Sequence, residues 1–232
     1  LKIDRPDGVK GIEVINGGLP LGSTAELVTH YLYKYRYYRP DIVIINTGGN
    51  DAYPRILDNF HPDYSHWKQP MNVPRPASNF GQILFSSRLA ALLTIPIFYD
   101  IRSVDYTVKR VGSEPPVQWY DRGDREVGIA FRSNLETLVR EIKADGAKVY
   151  LMPFRMRPKN AYPPELRVAI LDNERILKQT ATKFAVDIIP FPEEIISPMN
   201  WRDNCHLNAA GSLQKAQQIS LKVRADVINF IR

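Results

Sequence analysis

"RPDIVIINTGGND", residues 39–51, is the stretch on which the reading of the fold turns. Ile42 to Ile45 is an unbroken β-branched run, the composition of a strand covered on both faces. Two glycines end it, and the most polar dipeptide of the region, Asn50-Asp51, follows at once. A strand held only by packing needs no such tip. In open parallel sheets ligands bind beyond the carboxyl ends of the strands, where loops held by rigid elements converge. The polar pair is therefore expected to face a site.

Working outward, short β-branched runs alternate with stretches of helical period, the pattern of βαβ units with a parallel sheet between helical layers. The expected strands are Ile12 to Ile15, Ile42 to Asn46, Lys148 to Pro153 and Val186 to Pro190. Ser23 and Glu26 form an S-x-x-E capping box, after which Ala25, Leu27, Val28, Tyr31, Leu32 and Tyr35 recur at helical spacing up to Pro40. The clustered tyrosines of this stretch, residues 31 to 38, read as core and surface packing. A second helix is expected from Glu126 to Asp145, stopped by Gly146, and a third from Glu165 to about Phe184 after the Pro163-Pro164 pair. The last helix is expected to be capped by Asn208 and to run to about Phe230. Between Pro54 and Asp124 prolines and aromatics interrupt every pattern except "SSRLAALLTI", so this stretch reads as an insertion, at about residues 55–124, with one short helix. Insertions at strand ends often build substrate pockets.

A chain of 232 residues, 44% hydrophobic and 24% charged, can bury one large core, and a single α/β domain is expected. It has no run of 18 apolar residues and no charged-then-apolar leader pattern, so neither a membrane span nor a signal peptide is visible in it. The net charge is +6, but Lys and Arg are spread along the chain without a dense basic block, which argues against a nucleic-acid partner. The single cysteine, Cys205, has no partner for an internal disulfide and argues against a zinc site built on cysteines.

Three polar clusters fall at strand ends: "NGGLPLGST" after the first strand, "TGGND" after the second, and "WRDNCHLNAAG" before the last helix. These blocks resemble those of the SGNH (GDSL-type) hydrolase family, which carries in chain order a serine, a glycine, an asparagine and an Asp-x-x-His. "VINGGLPLGSTAE" looks like the glycine block, "GGND" like the asparagine block and "DNCHLNAAG" like the Asp-His block, from about Gly11 to the end of the chain. The resemblance implies a three-layer α/β/α sandwich of flavodoxin-like type with a parallel sheet. It also implies ester hydrolysis through a serine acyl-enzyme. In that chemistry His206 takes the proton from the serine hydroxyl and returns it to the leaving group, since an unperturbed imidazole titrates near neutral pH. Asp203 orients the ring and stabilises the imidazolium. The Asn50 amide and a backbone N–H near Gly22 hydrogen-bond the oxyanion.

The sequence departs from the family pattern twice. It has no Gly-Asp-Ser or Gly-Gly-Ser block for the nucleophile. An ungapped match of the glycine block puts Leu21 where the glycine is expected, with Gly22 one place later. Either residue could supply the N–H. In the resembled fold the serine strand lies inside the sheet, and an absent strand would leave buried backbone groups unpaired at about 1–3 kcal/mol each. The expectation is an upstream segment of roughly 20–40 residues that supplies the strand and the serine.

Spacing alone does not single out His206. Asp58 with His61, Asp63 with His66 and Asp203 with His206 all fit Asp-x-x-His. The third opens the last helix, lies near the chain end as the family order requires, and continues as "HLNAAG". The first two pairs read as a solvated loop, with a pocket rim or ligands of a divalent cation as alternatives. Cys205 reads as a packing residue, Ser23 as a cap whose hydroxyl is already engaged, and Asp51 as the cap of the following turn, with a bond across the site as the alternative.

The expected activity is hydrolysis of a small ester, such as an acylated carbohydrate or lipid, with no cofactor. Acyl transfer by the same residues, a binding module lacking the nucleophile, and a metal-dependent hydrolase on the two Asp-His pairs are the alternatives. The resemblance to relatives with the Gly-Gly-Ser variant implies an extracytoplasmic location.

Overall fold

The computed structural model describes residues 2–3, 11–56, 62, 64, 124–157 and 164–231. The chain divides into two compact units, residues 1–56 with 118–232, and residues 57–117. The elements below belong to the first unit; "SSRLAALLTI" lies outside the described residues.

Three parallel strands form the sheet in the order β3 (Ile42–Thr47), β4 (Lys148–Pro153), β5 (Asp187–Ile188). Ile42 pairs with Lys148 and Thr47 with Pro153, so β3 and β4 end level, and β5 joins where Tyr150 meets Asp187. The connections are helices, α2 (Asp124–Ala144) leading into β4 and α3 (Pro164–Phe184) leading into β5, as βαβ units require. Helix α1 (Thr24–Tyr33) precedes β3 and helix α4 (Ala209–Ile231) closes the chain.

The pleat assigns the layers. Successive β4 side chains point to opposite faces, and Val149 and Leu151 join Ile45 in a core with Tyr31 of α1, Phe131, Leu135, Leu138, Val139 and Ile142 of α2, and Ile176, Leu177 and Ala181 of α3. Tyr150 and Met152 face the other way, into a core with Ile189, Phe191, Ile196 and Trp201, against which Ile219 and Val223 of α4 pack. The result is the α/β/α sandwich expected from the sequence. A third cluster, Ala52, Met156, Leu166, Ala169 and Ile170, seats the start of α3 on the segment after β3.

Two elements differ from the sequence reading. Residues 12–15 were expected to be a strand of the parallel sheet. Only β2 (Ile12–Glu13) forms, pairing antiparallel with β1 (Lys2–Ile3) in a separate two-stranded sheet, and Val14 and Ile15 are exposed. Ile12 and Glu13 pair with Ile3 and Lys2 instead of with the parallel sheet. Helix α1 stops at Tyr33 instead of reaching Pro40, because Lys34 leaves helical angles (φ −140°, ψ −63°); a short 3₁₀ turn, Tyr35–Tyr38, follows and ends at Arg39 in the left-handed region (φ 48°). Tyr31 is the buried tyrosine of the cluster and donates to Asp145 at 2.9 Å, while Tyr33, Tyr37 and Tyr38 are exposed. Gly146 (φ 86°) ends α2 as expected, with its N–H bonded to Lys143 and the Ala147 N–H to Ile142. The equivalent place after α3 is held by Ala185 (φ 49°). Among the described residues no helix is long and apolar enough to cross a membrane.

Candidate active site

The loop after β3 is built from behind. Asn173 of α3, 1% exposed, donates its amide to the Gly48 carbonyl at 2.8 Å and accepts from the Arg55 guanidinium at 2.6 Å. Arg55 is buried too and pairs with Asp172 at 2.5 Å. On the other side of the loop a Cβ at Gly49 would lie 2.7 Å from the Phe154 ring, so a glycine is required for that approach. Between these supports Asn50 projects its amide to the Gly22 carbonyl at 3.0 Å. Asp51 makes the bond across the site that its sequence reading held as the alternative. Its buried carboxylate accepts from the Thr24 N–H (3.0 Å) and the Thr24 hydroxyl (2.5 Å), tying the β3 loop to the first turn of α1. Asn50 and Asp51 thus fasten two different parts of residues 22–24. Ser23, also buried, donates its N–H to Glu26 (2.8 Å), the carboxylate half of the expected capping box, and its hydroxyl donates to the same oxygen (2.5 Å), so that hydroxyl is engaged.

Leu19 to Gly22 form a turn closed by the Gly22 N–H on the Leu19 carbonyl at 3.0 Å. Pro20 leads the turn, and Leu21 sits third in the left-handed region (φ 55°), a place glycine normally takes. This is the position at which an ungapped match expects the glycine. The Gly22 N–H, expected to face the oxyanion, is therefore already used, and Gly22 offers its carbonyl to Asn50. Leu21, 58% exposed, has an N–H with no partner among the described residues.

The second cluster lies on a hairpin. Trp201 and Leu207 pair antiparallel, and the Arg202 N–H bonds the His206 carbonyl at 2.8 Å. Inside this neck Asp203 accepts the N–H groups of Cys205 (2.9 Å) and His206 (2.8 Å), and its other oxygen meets His206 Nδ1 at 2.8 Å. Partial desolvation pushes the Asp203 carboxyl up, but the two backbone N–H groups and the imidazole outweigh it and hold the group at about 2. An anionic carboxylate on Nδ1 fixes the tautomer that leaves Nε2 as the proton acceptor. The His206 side chain is 73% exposed. The Cys205 thiol lies 3.5 Å from Nδ1, and Asp203, Cys205 and His206 each place a donor atom within 4.8 Å of the others. Asn208 caps α4 as expected, accepting the Gly211 N–H at 3.0 Å and donating its own amide to the Met199 carbonyl.

A cavity of about 380 Å³ opens beside this hairpin. His206, Cys205, Trp201 and Leu207 form one wall, Phe154, Arg155 and Phe191 the loops after β4 and β5, and Ser212, Lys215, Ala216 and Ile219 the helix α4 wall. Arg155 is neutralised by Glu174. Lys215 donates to the Asn46 side-chain oxygen at 2.5 Å, and desolvation lowers its pKa. Sequence reasoning passed over Lys215, Arg155 and Asn46. Positions 208, 212, 215, 216 and 219 share one face of a helix that begins at the Asp-His block, and that spacing was the available signal.

The expected residues therefore fall into two assembled pairs, Asp203 with His206 and Asn50 with Gly22, both at the carboxyl end of the sheet. Phe154 is their shared neighbour, since it crowds Gly49 and lines the cavity with His206. Among the described residues no hydrogen bond joins one pair to the other. Asp58, His61, Asp63 and His66 lie outside the described residues.

Residues 11–213 match the model of the GDSL-like lipase/acylhydrolase family. The chain belongs to that family. Membership in the GDSL-like lipase/acylhydrolase family places it among ester hydrolases at a coarse level. No curated protein matches it. Among solved structures it is similar to Axe2, an acetylxylan esterase from Geobacillus stearothermophilus, at 16% identity and a TM-score of 0.52, covering 90% of this chain and 71% of that one. It is also similar to a GDSL-like lipase from Bacteroides thetaiotaomicron, at 11% identity and a TM-score of 0.50, covering 89% of this chain and 73% of that one. At these identities both likenesses concern the GDSL-type fold.

Proposed function

We propose that the protein hydrolyses small esters through a serine acyl-enzyme. His206 is the general base, Asp203 its orienting carboxylate, and Asn50 with the Leu21 N–H the oxyanion donors. The nucleophile in this reading is the serine of the family's first block. The observation that carries the proposal is the Asp203–His206 contact: a carboxylate at about 2 is ionised at any working pH, and it meets Nδ1 at 2.8 Å while the ring stays open to a reactant. Family membership supports the reaction class. The cavity beside the ring, at the small end for ligand pockets, supports a short acyl group on a carbohydrate, and the acetylxylan esterase among the similar structures agrees with that choice. An extracytoplasmic location, carried over from the relatives with a Gly-Gly-Ser block, belongs to the proposal and is checked by cell fractionation.

The deciding experiment uses the full-length gene product with p-nitrophenyl acetate and a fluorophosphonate probe. Labelling at one serine, with turnover reduced by at least roughly 10²–10⁴-fold in His206→Ala, supports the hydrolase. A protein that neither labels nor turns over is a binding module on this fold, and the proposal is then withdrawn.

A further inference from the structure

We propose that Asp203, Cys205 and His206 capture one soft divalent cation, of the Zn²⁺ or Cd²⁺ kind, and that capture switches off the His206 base. The second half rests on the function proposed above; the first does not. Three chemically different donors, a carboxylate oxygen, a thiol sulfur and an imidazole nitrogen, lie within 4.8 Å of one another on four consecutive residues. A tetrahedral zinc ion with bonds of about 2.3 Å to sulfur and about 2.0–2.1 Å to nitrogen holds those two atoms about 3.5 Å apart. The Cys205 sulfur and His206 Nδ1 stand at 3.5 Å. Asp203 is closer to the ring, at 2.8 Å, because it now accepts a hydrogen bond there. To become the third ligand of the same ion it would move about half an ångström out from the ring and in toward the Cys205 sulfur, all three donor atoms now lying within 4.8 Å of one another. Its Oδ1 already holds the Cys205 and His206 N–H groups, so the loop carries both other ligands round to one side. The fourth position faces solvent, since the His206 and Asp203 side chains are 73% and 52% exposed.

The count of cysteines in the sequence argued against a zinc site built on cysteines, and that holds for sites of several thiolates. One thiolate with an imidazole and a carboxylate makes a mixed set that favours zinc-like over magnesium-like ions. The proton balance explains the inhibition. On capture the Cys205 S–H proton leaves to solvent and a sulfur–metal bond forms. The proton on Nδ1 is displaced by the metal and reappears on Nε2, so the ring stays neutral but has no lone pair left to accept the serine proton.

The test is titration of the purified protein with Cd²⁺ and Co²⁺, read by the thiolate-to-metal charge-transfer absorption. One ion per chain is expected, with no band in Cys205→Ser and at least about tenfold weaker apparent affinity in Asp203→Asn and in His206→Ala. These side chains are solvent-exposed or near it, and circular dichroism verifies that the variants fold. No band, or a band with unchanged affinity in both Asp203→Asn and His206→Ala, overturns the site, since the thiol would then bind alone. In a second arm ester hydrolysis by the full-length protein is followed with Zn²⁺ or Cd²⁺, with Mg²⁺ and Ca²⁺ as controls. Inhibition by the soft ions alone, reversed by EDTA and weakened at least about tenfold in Cys205→Ser relative to that variant's own metal-free rate, supports the switch. Full activity at saturating Cd²⁺ overturns it. A protein with no hydrolysis at all counts against the proposed function, and the absorption titration still decides the metal site.

Discussion

The carboxylate of Asp51, at the tip of β3, closes the first turn of α1 by accepting both the N–H and the hydroxyl of Thr24, 27 residues earlier in the chain. Three buried donors, the Thr24 N–H and the hydroxyls of Thr24 and Thr47, converge on it. Asp51→Ala strands them, and each buried donor left unpaired costs about 1–3 kcal/mol. A loss of at least about 2 kcal/mol in urea unfolding is expected. A loss within experimental error would mean that water replaces the carboxylate.

Leu21 and Ala185 occupy left-handed backbone positions at φ 55° and 49°. An L-residue there costs about 1–2 kcal/mol, while glycine adds about 0.5–1 kcal/mol of unfolded-state freedom. Leu21→Gly and Ala185→Gly should therefore each stabilise by up to about 1 kcal/mol. Leu21→Gly also keeps the backbone N–H, so ester hydrolysis should survive it. A lower unfolding midpoint in both variants would contradict this reading of the two turns.

A Cβ at position 211 would lie 2.3 Å from the Asn200 carbonyl, which itself accepts the Asn208 N–H. Gly211→Ala must push the hairpin away from α4 at a cost of about 1–3 kcal/mol. Because Asp203 and His206 ride on that hairpin, turnover should fall along with the melting temperature. Full activity at a reduced melting temperature would show that the hairpin moves as one piece.

The Asp203 carboxyl, at about 2, lies below the ordinary aspartate value of about 3.9. As pH falls the unfolded chain binds this proton first, so the contribution is complete above about pH 4 and is lost as pH falls through about 2. The amide resonances of Cys205 and His206, both donors to Asp203, should titrate together with a midpoint near the lower value. A midpoint near 4 would show that the carboxylate is not held by those groups.

The layered fold was legible because β4 and α2 carry their periods openly: Lys148 to Pro153 alternates between two cores, and the apolar positions of α2 line up on one face. The Asp-His pair was legible only through its neighbours, as Asp-x-x-His occurs three times in the chain. Local spacing could not show which atoms of a loop are spent internally. Gly22 and Leu21 were equivalent as letters and differ only because a turn consumes the N–H of one. Asp51 was assigned to its own turn because its true partner, Thr24, is distant in sequence. Residues 12–15 have a strand's composition, but composition does not say which neighbour a strand will find.

The hairpin that carries the Asp203–His206 contact is tied at its neck by Trp201 and Leu207 and by a bond between Arg202 and His206. Every atom of the dyad and most of its support belong to one continuous run of seven residues. Changes elsewhere in the scaffold can then accumulate without disturbing the Asp203–His206 contact.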